Sequence, residues 1–354
     1  MTTENDNWSL YPYHPVTALP PLFAIVIFGL GATLIYLSFF KHRWTKFGIM
    51  MTWASSVWVA GFICRSISIY DQQNVGMFIA QFVLVLMGPP LYAAAEYFIL
   101  GRLFAYLPYH TPIHPGRVLS TFFMLSVIVE SLTANGAANS SGTGRSESQI
   151  KNGLACLKAA LIIQTCIEVF FFSLVALLEH RCRRAKKFPQ NVRMVCYTLY
   201  VTSFMMFVRC IIRTIEGFNA AACNRNAPDY DGYCGYISRH EWCLYLFEIA
   251  NITVFVMLLT VFHPGRYLPR DTNVFLDPVD GQTERVGPGF SSADARPLWM
   301  TIIDPFNFHG ILTGRGMVMR QFWDEPQPVY ERGSDIPLKR RSRSRSTDGQ
   351  SLVK

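Results

Sequence analysis

The sequence predicts an all-α membrane protein, a seven-transmembrane-helix bundle with its N-terminus outside and its C-terminus cytoplasmic. Three observations carry that expectation. The 354-residue chain is 51% hydrophobic and only 16% charged, against about 25% charged residues in soluble domains. Its apolar runs recur at close to the ~20 residues that cross a hydrocarbon core. Lys and Arg crowd the loops on one side and thin out on the other, which sets orientation. The net charge of +8 sits in short loops and at the C-terminal end, a distribution that gives nucleic acid no continuous surface.

In chain order, residues 1–21 form an extracellular segment. Met1 to Leu10 is polar and has no basic stretch, so the first helix is expected to insert uncleaved. The membrane domain occupies residues 22–262. Its spans read as Leu22–Phe40, Phe47–Ile69, Gly76–Leu100, Val118–Asn135, Leu154–Leu178, Met194–Ile215 and Trp242–Phe262. Pro89 and Pro90 give the third span a cause for a kink. The fourth is short and thins into Thr133-Ala134-Asn135-Gly136.

One set of loops holds Lys41, Arg43, Lys46, Arg102, Arg117, the Arg181–Arg193 cluster, Arg266 and Arg270; the other holds Arg145, Lys151, Arg225 and Arg239. The basic side is cytoplasmic. The sequons at Asn7 and Asn139 then fall outside, where glycosylation operates, whereas Asn251 lies within the last span. Cys223 and Cys234 share the large outer loop, where an oxidising compartment permits a disulfide; Cys156 and Cys243, at outer helix ends, are alternative partners. From His263 to Lys354 Pro, Gly, Asp and Ser rise and the chain closes on a basic, serine-rich tract. That composition predicts a largely disordered cytoplasmic tail able to touch anionic lipid.

The apolar runs contain charges, each costing ~2.5–3.5 kcal/mol or more at the bilayer centre unless partnered. Arg209, Arg213 and Glu216 stand at i, i+4 and i+7 and share one helix face. Placed by depth, they join Arg65, Glu130, Lys158, Glu241 and Glu248 in an outer-leaflet layer, with four bases and four acids from five helices. Glu96 and Glu168 fall elsewhere. The balance favours ion pairs that hold the helices together, with Glu130 and Glu248 as partners for the arginines. The same layer also suits a headgroup, because a guanidinium fork fits phosphate or carboxylate and a carboxylate fits an amine. Both readings stand at this point.

Catalytic signals are sparse. The chain has no GxxxxGK[ST] loop for nucleotide, no HExxH pair and no lysine in the seventh span for a Schiff base. No enzyme, cofactor or metal site is expected.

Short elements in order carry a resemblance. They are Leu10-Tyr11-Pro12-Tyr13-His14-Pro15, Gly61-Phe62-Ile63-Cys64-Arg65, then Gln81, Pro89, Ala93-Ala94, Tyr97 and Leu100-Gly101-Arg102. Further on come Leu161 to Gln164, the face Arg209–Arg213–Glu216, then Glu241, Tyr245, Phe247-Glu248 and His263-Pro264-Gly265. Together, from Leu10 to Arg266, they resemble the fungal lipid-translocating exporter family, which is named for resistance to aminocholesterol and includes sphingoid long-chain base exporters. Trp58 stands where that family usually has Glu ahead of the glycine of span two. Ser126 and Thr133 stand near its usual Asp and Gln, and Glu248 where Asp is usual. The resemblance implies seven spans, an outside N-terminus, a place in the plasma membrane or another endomembrane, and a role in lipid asymmetry or resistance to toxic lipids and drugs. The expected partner is a lipid or amphiphilic small molecule. Export of that molecule is the first functional expectation. The alternative is a seven-helix lipid receptor or sensor that signals through its cytoplasmic loops and tail.

Overall fold

The computed structural model describes residues 15–288, apart from 72, 112, 114, 141–145, 187 and 223–235, together with short stretches between 300 and 330. Among the described residues, seven helices are long and apolar enough to cross a membrane. They are α1 (Leu19–Ile35, continued by a π-helical stretch to Lys41), α2 (Thr45–Tyr70), α3 (Val75–Tyr106), α4 (Pro115–Ser140), α5 (Glu147–Arg184), α6 (Gln190–Ala222) and α7, which is assembled from Glu241–Leu244, a π-helical turn Tyr245–Ala250 and Asn251–Val261. The expected spans appear in order, and most run further than their apolar cores. At 38 residues α5 is about 57 Å long at ~1.5 Å per residue, so both ends leave a ~30 Å hydrocarbon layer.

Local chemistry sets these ends. Ser146 and Gln149 form a reciprocal capping box at the start of α5, and Arg181, Arg183 and Arg184 complement the helix dipole at its finish. Asn74 caps α3 by accepting from the Met77 backbone N–H. Residues facing outward are large and apolar, among them Ile25, Phe28, Trp53, Phe123 and Phe204, as a surface bathed by lipid tails requires.

The mid-bundle contact between α2 and α3 follows from Pro89 and Pro90. Pro89 has no N–H to offer the carbonyl four residues back, at Val85. The Trp58 indole supplies the missing donor, Nε1 lying 2.9 Å from the Val85 oxygen. Gly88 makes room for that ring, since a Cβ there would lie 2.1 Å from Trp58 Cδ1. Trp58 therefore holds a position that the resemblance assigned to an acid, and it uses it to satisfy a backbone carbonyl in hydrocarbon.

The end of the bundle where α1 and α2 meet the close of α7 is locked by side-chain contacts. The backbone N–H of Gly265 donates to His263 Nδ1, which leaves Nε2 to donate to Ser38 Oγ at 3.0 Å. His42 stacks on His263 with ring centroids 4.9 Å apart. Burial, with Lys41 and Arg266 nearby, holds the His42 imidazole below its ordinary value.

One expectation needs correction here. A largely disordered tail from His263 does not describe the segment through Pro288. Strand β1 (Val274–Leu276) pairs antiparallel with β2 (Glu284–Val286), and Val274, Phe275 and Leu276 are buried. Arg102 Nη2 donates to the backbone oxygens of Pro269, Arg270 and Asp271 at 2.7, 3.0 and 3.1 Å. Its guanidinium also lies over the Trp44 ring, 5.1 Å from the centroid. Tyr106 donates to Glu284 at 2.8 Å, and Asp277 pairs with Arg285. Composition alone missed this hairpin because its partners lie on α3, far away in sequence.

Candidate functional site

The outer charges arise from helix faces. Glu241, Tyr245 and Glu248 turn one side of α7 toward the bundle, and the π-helical turn keeps both Glu248 and Ile249 buried. π-Helical turns of this kind concentrate at functional sites. On α6, Arg209 and Arg213 stand one turn apart on the face that meets them.

The expected single layer resolves into two separate knots. In the first, Arg65 Nη2 lies 2.7 Å from Glu241 Oε1, Nη1 donates to Gln81 at 3.2 Å, and Nε donates to the Tyr245 hydroxyl at 3.3 Å. The other Glu241 oxygen accepts the Val16 N–H at 2.7 Å, which ties the chain's N-terminal approach to α7. In the second, Glu248 Oε1 accepts from Arg209 Nη2 at 3.2 Å and from Arg213 Nη2 at 3.3 Å, its other oxygen lies at ion-pair distance from Arg213 Nε, 2.8 Å, and Arg213 Nη1 donates to Glu216 at 2.8 Å. Arg65, Glu241, Arg209 and Glu248 are all buried, whereas Glu216 is half-buried. Each knot is electrically neutral by its own members, the geometry of a structural ion pair.

Glu130 does not join either knot. It is exposed on α4 and lines a cavity between α3, α4, α5 and α6 together with Tyr97, Ser126, Gln164, Glu168 and Arg209. Lys158 places its ammonium 5.3 Å from the Phe218 ring centroid, a cation–π contact at the outer end of α5.

Below the knots lies a pair that the sequence kept apart. Glu96 and Glu168 are both buried, and Tyr97, which follows Glu96 on α3, brings its hydroxyl to Glu168. Glu96 Oε1 accepts from Thr202 at 2.6 Å, and Glu168 Oε1 from the Tyr97 hydroxyl at 3.4 Å. The second oxygen of each has no hydrogen-bond partner among the described residues. Glu168 also floors a groove of about 210 Å³ between α5 and α6, walled by Val169, Phe172, Ser173, Phe204 and Phe207. Val169, Phe172 and Phe204 are exposed, so the groove opens toward lipid.

Asn139 stands in the last turn of α4 and its side-chain amide donates to Asn135. Asn7, Cys223 and Cys234 lie outside the described residues. Cys156 and Cys243 are free thiols. No group of three or more metal-ligating side chains occurs among the described residues.

Residues 51–271 match the family described as RTA1 like protein, a stretch that holds both knots together with Glu96, Glu130 and Glu168. The chain belongs to the RTA1 like protein family. Among its relatives, the lipid-translocating exporter-like protein RTA1 of Leptosphaeria maculans is 30% identical over 337 residues, which is 91% of this chain and 63% of that protein. Protein RTA1 of Saccharomyces cerevisiae is 30% identical over 218 residues, covering 58% of this chain and 61% of the relative. The probable lipid transporter atnI of Emericella nidulans is 27% identical over 278 residues, covering 73% and 68%. The chain thus spans 63% of the length of the Leptosphaeria relative. No solved structure matches. The RTA1 like match ends at Asp271, the last carbonyl that Arg102 holds. The protein is an integral membrane protein with seven helices of membrane-spanning length.

Proposed function

We propose that this protein moves a lipid or other amphiphile across the membrane, as an exporter and not as an enzyme, and that export confers resistance when the amphiphile is toxic. The observation that carries the proposal is the groove between α5 and α6. Its walls are apolar and open to lipid, and its floor is the carboxyl of Glu168, beside a polar cavity that holds Glu130, Gln164 and Arg209. Tail chemistry and headgroup chemistry therefore adjoin in the middle of the bundle. The names of the relatives point the same way.

The two charge knots then serve as the frame. Arg65–Glu241 fixes α2 to α7, and Arg209–Arg213–Glu248 fixes α6 to α7, with their charges spent on each other. The loop charges support an outside N-terminus and a cytoplasmic C-terminus, and export from the cell calls for the plasma membrane as the site of action. A receptor that signals through its tail has no observation favouring it over export.

The test is efflux from cells with and without the gene, loaded with labelled sphingoid bases, lysophospholipids or sterol amines. Export predicts faster appearance outside of at least one member of the panel. Equal rates for all of them, with the protein present at the membrane, would sink the proposal.

A further inference from the structure

The outer arginines are paired, but the two deepest carboxyls are not. Glu96 on α3 and Glu168 on α5 each keep one oxygen without a hydrogen-bond partner, and among the described residues neither has a basic group within ion-pair distance. A pair of ionised carboxylates side by side in hydrocarbon, each lacking a counter-ion, is unfavourable on two counts, desolvation and mutual repulsion. Such a pair needs a positive charge or a proton.

The surroundings suit a proton. Facing the pair are Tyr97 from α3, Glu130 from α4, Gln164 from α5, and Thr202, Arg209 and Cys210 from α6, with Glu248 of α7 behind Arg209. Arg209 lines the same cavity as Glu168, but its ion pair is with Glu248, and its Nε has no hydrogen-bond partner among the described residues. The cavity joining Glu130 to Glu168 has about 20 Å³ of free space, room for one water that could relay a proton but not for a hydrated metal ion. Glu130 is exposed toward the outer end of α4 and marks the mouth.

We propose that Glu96 and Glu168 form a proton-binding pair, filled from the outer face through the Glu130–Gln164–Arg209 cavity, whose occupancy decides whether a hydrocarbon chain lies in the α5–α6 groove. With a proton bound, the groove floor is a neutral acid that an acyl chain tolerates. With the proton lost, the floor is a carboxylate and the chain is expelled. The proton adds to a carboxylate oxygen and leaves from it; no other bond changes. A link between proton and lipid movement follows, and only this link rests on the export reading.

The full-length protein in phosphatidylcholine vesicles tests both parts. Dicyclohexylcarbodiimide adds to the O–H form of a carboxylic acid in apolar surroundings, and the adduct rearranges to a stable N-acylurea found by mass spectrometry. Label is expected at Glu168 or Glu96 near neutral pH and is lost at alkaline pH. It is absent from the E96Q/E168Q double variant. Glu179, paired with Arg183 at the cytoplasmic end of α5, stays unlabelled. No label at either carboxyl, or label indifferent to pH, overturns the proposal. In the second arm, a fluorescent lysophospholipid is followed with and without an acid exterior. Wild-type flux changes severalfold with the gradient, while E168Q, which keeps the neutral form and the fold, gives one rate under both conditions. Gradient-insensitive flux in the wild type overturns the link. Absence of any flux while the label still titrates counts against export and supports the proton site alone.

Discussion

If the knots are structural, the pair Arg65–Glu241 should behave as a unit in a double-mutant cycle. Both side chains are buried, at 3% and 7% exposure, and their closest atoms are 2.7 Å apart. Arg65→Leu leaves Glu241 with a single neutral donor, the Val16 N–H. Glu241→Leu removes the carboxylate from the guanidinium, which keeps the Gln81 oxygen and the Tyr245 hydroxyl among its neutral partners. Removing one member of a buried pair typically costs about 3–5 kcal/mol, whereas replacing both by apolar residues is often close to neutral. At ~2–4 °C per kcal/mol for domains of 150–250 residues, each single variant should lower Tm by on the order of 10 °C. The double variant should recover most of that loss. The assay is thermal unfolding of the purified protein in detergent, followed by loss of monodisperse protein with temperature. Two results would refute the reasoning: single variants as stable as wild type, or a double variant as unstable as the sum of the singles. The first, combined with lost efflux, would move Arg65 from the frame to the ligand site.

Three further outcomes follow from other contacts. Gly88→Ala pushes a methyl into the Trp58 ring, 2.1 Å from Cδ1, and should cost ~1–3 kcal/mol, read as a lower Tm than the lipid-facing control Phe28→Ala. Arg102→Ala removes the donor to three carbonyls and should expose the 267–288 segment to limited proteolysis while spans α1 to α7 stay intact. Ser173→Trp fills the groove between α5 and α6 and should reduce efflux at least about tenfold, equivalent to ~1.4 kcal/mol, with Tm unchanged because the site faces lipid; undiminished efflux would remove the groove from the route.

The number and order of the helices were readable because each span carries its own hydropathy, independent of its neighbours. The charges were equally visible, since an arginine in an apolar run stands out wherever it is placed. Which charges meet was only partly readable. Depth put Glu130 and Glu248 equally within reach of the arginines, but pairing also depends on which way each helix is turned. The structure gives Arg209 and Arg213 to Glu248 and turns Glu130 outward. The meeting of Glu96 and Glu168 was hidden by a boundary. An apolar run read as ending at Leu100 puts Glu96 at the inner edge, yet α3 continues to Tyr106 because Arg102 to Tyr106 is buried under α4 and the hairpin. Tyr97, next to Glu96 on α3, donates to Glu168 on α5, so the two acids lie close to one level. The role of Trp58 was unreadable for another reason: a tryptophan in a membrane span looks like packing until the proline-freed carbonyl beside it is seen.

The clasp between Arg102 and the stretch after α7 also has a consequence in time. The two halves are 167 residues apart, so at ~5–20 residues per second of synthesis roughly 8–30 s pass between the making of α3 and the arrival of its carbonyls. Closure therefore comes only after every span has been made, and a chain that stops short of Pro269 offers Arg102 none of the three carbonyls.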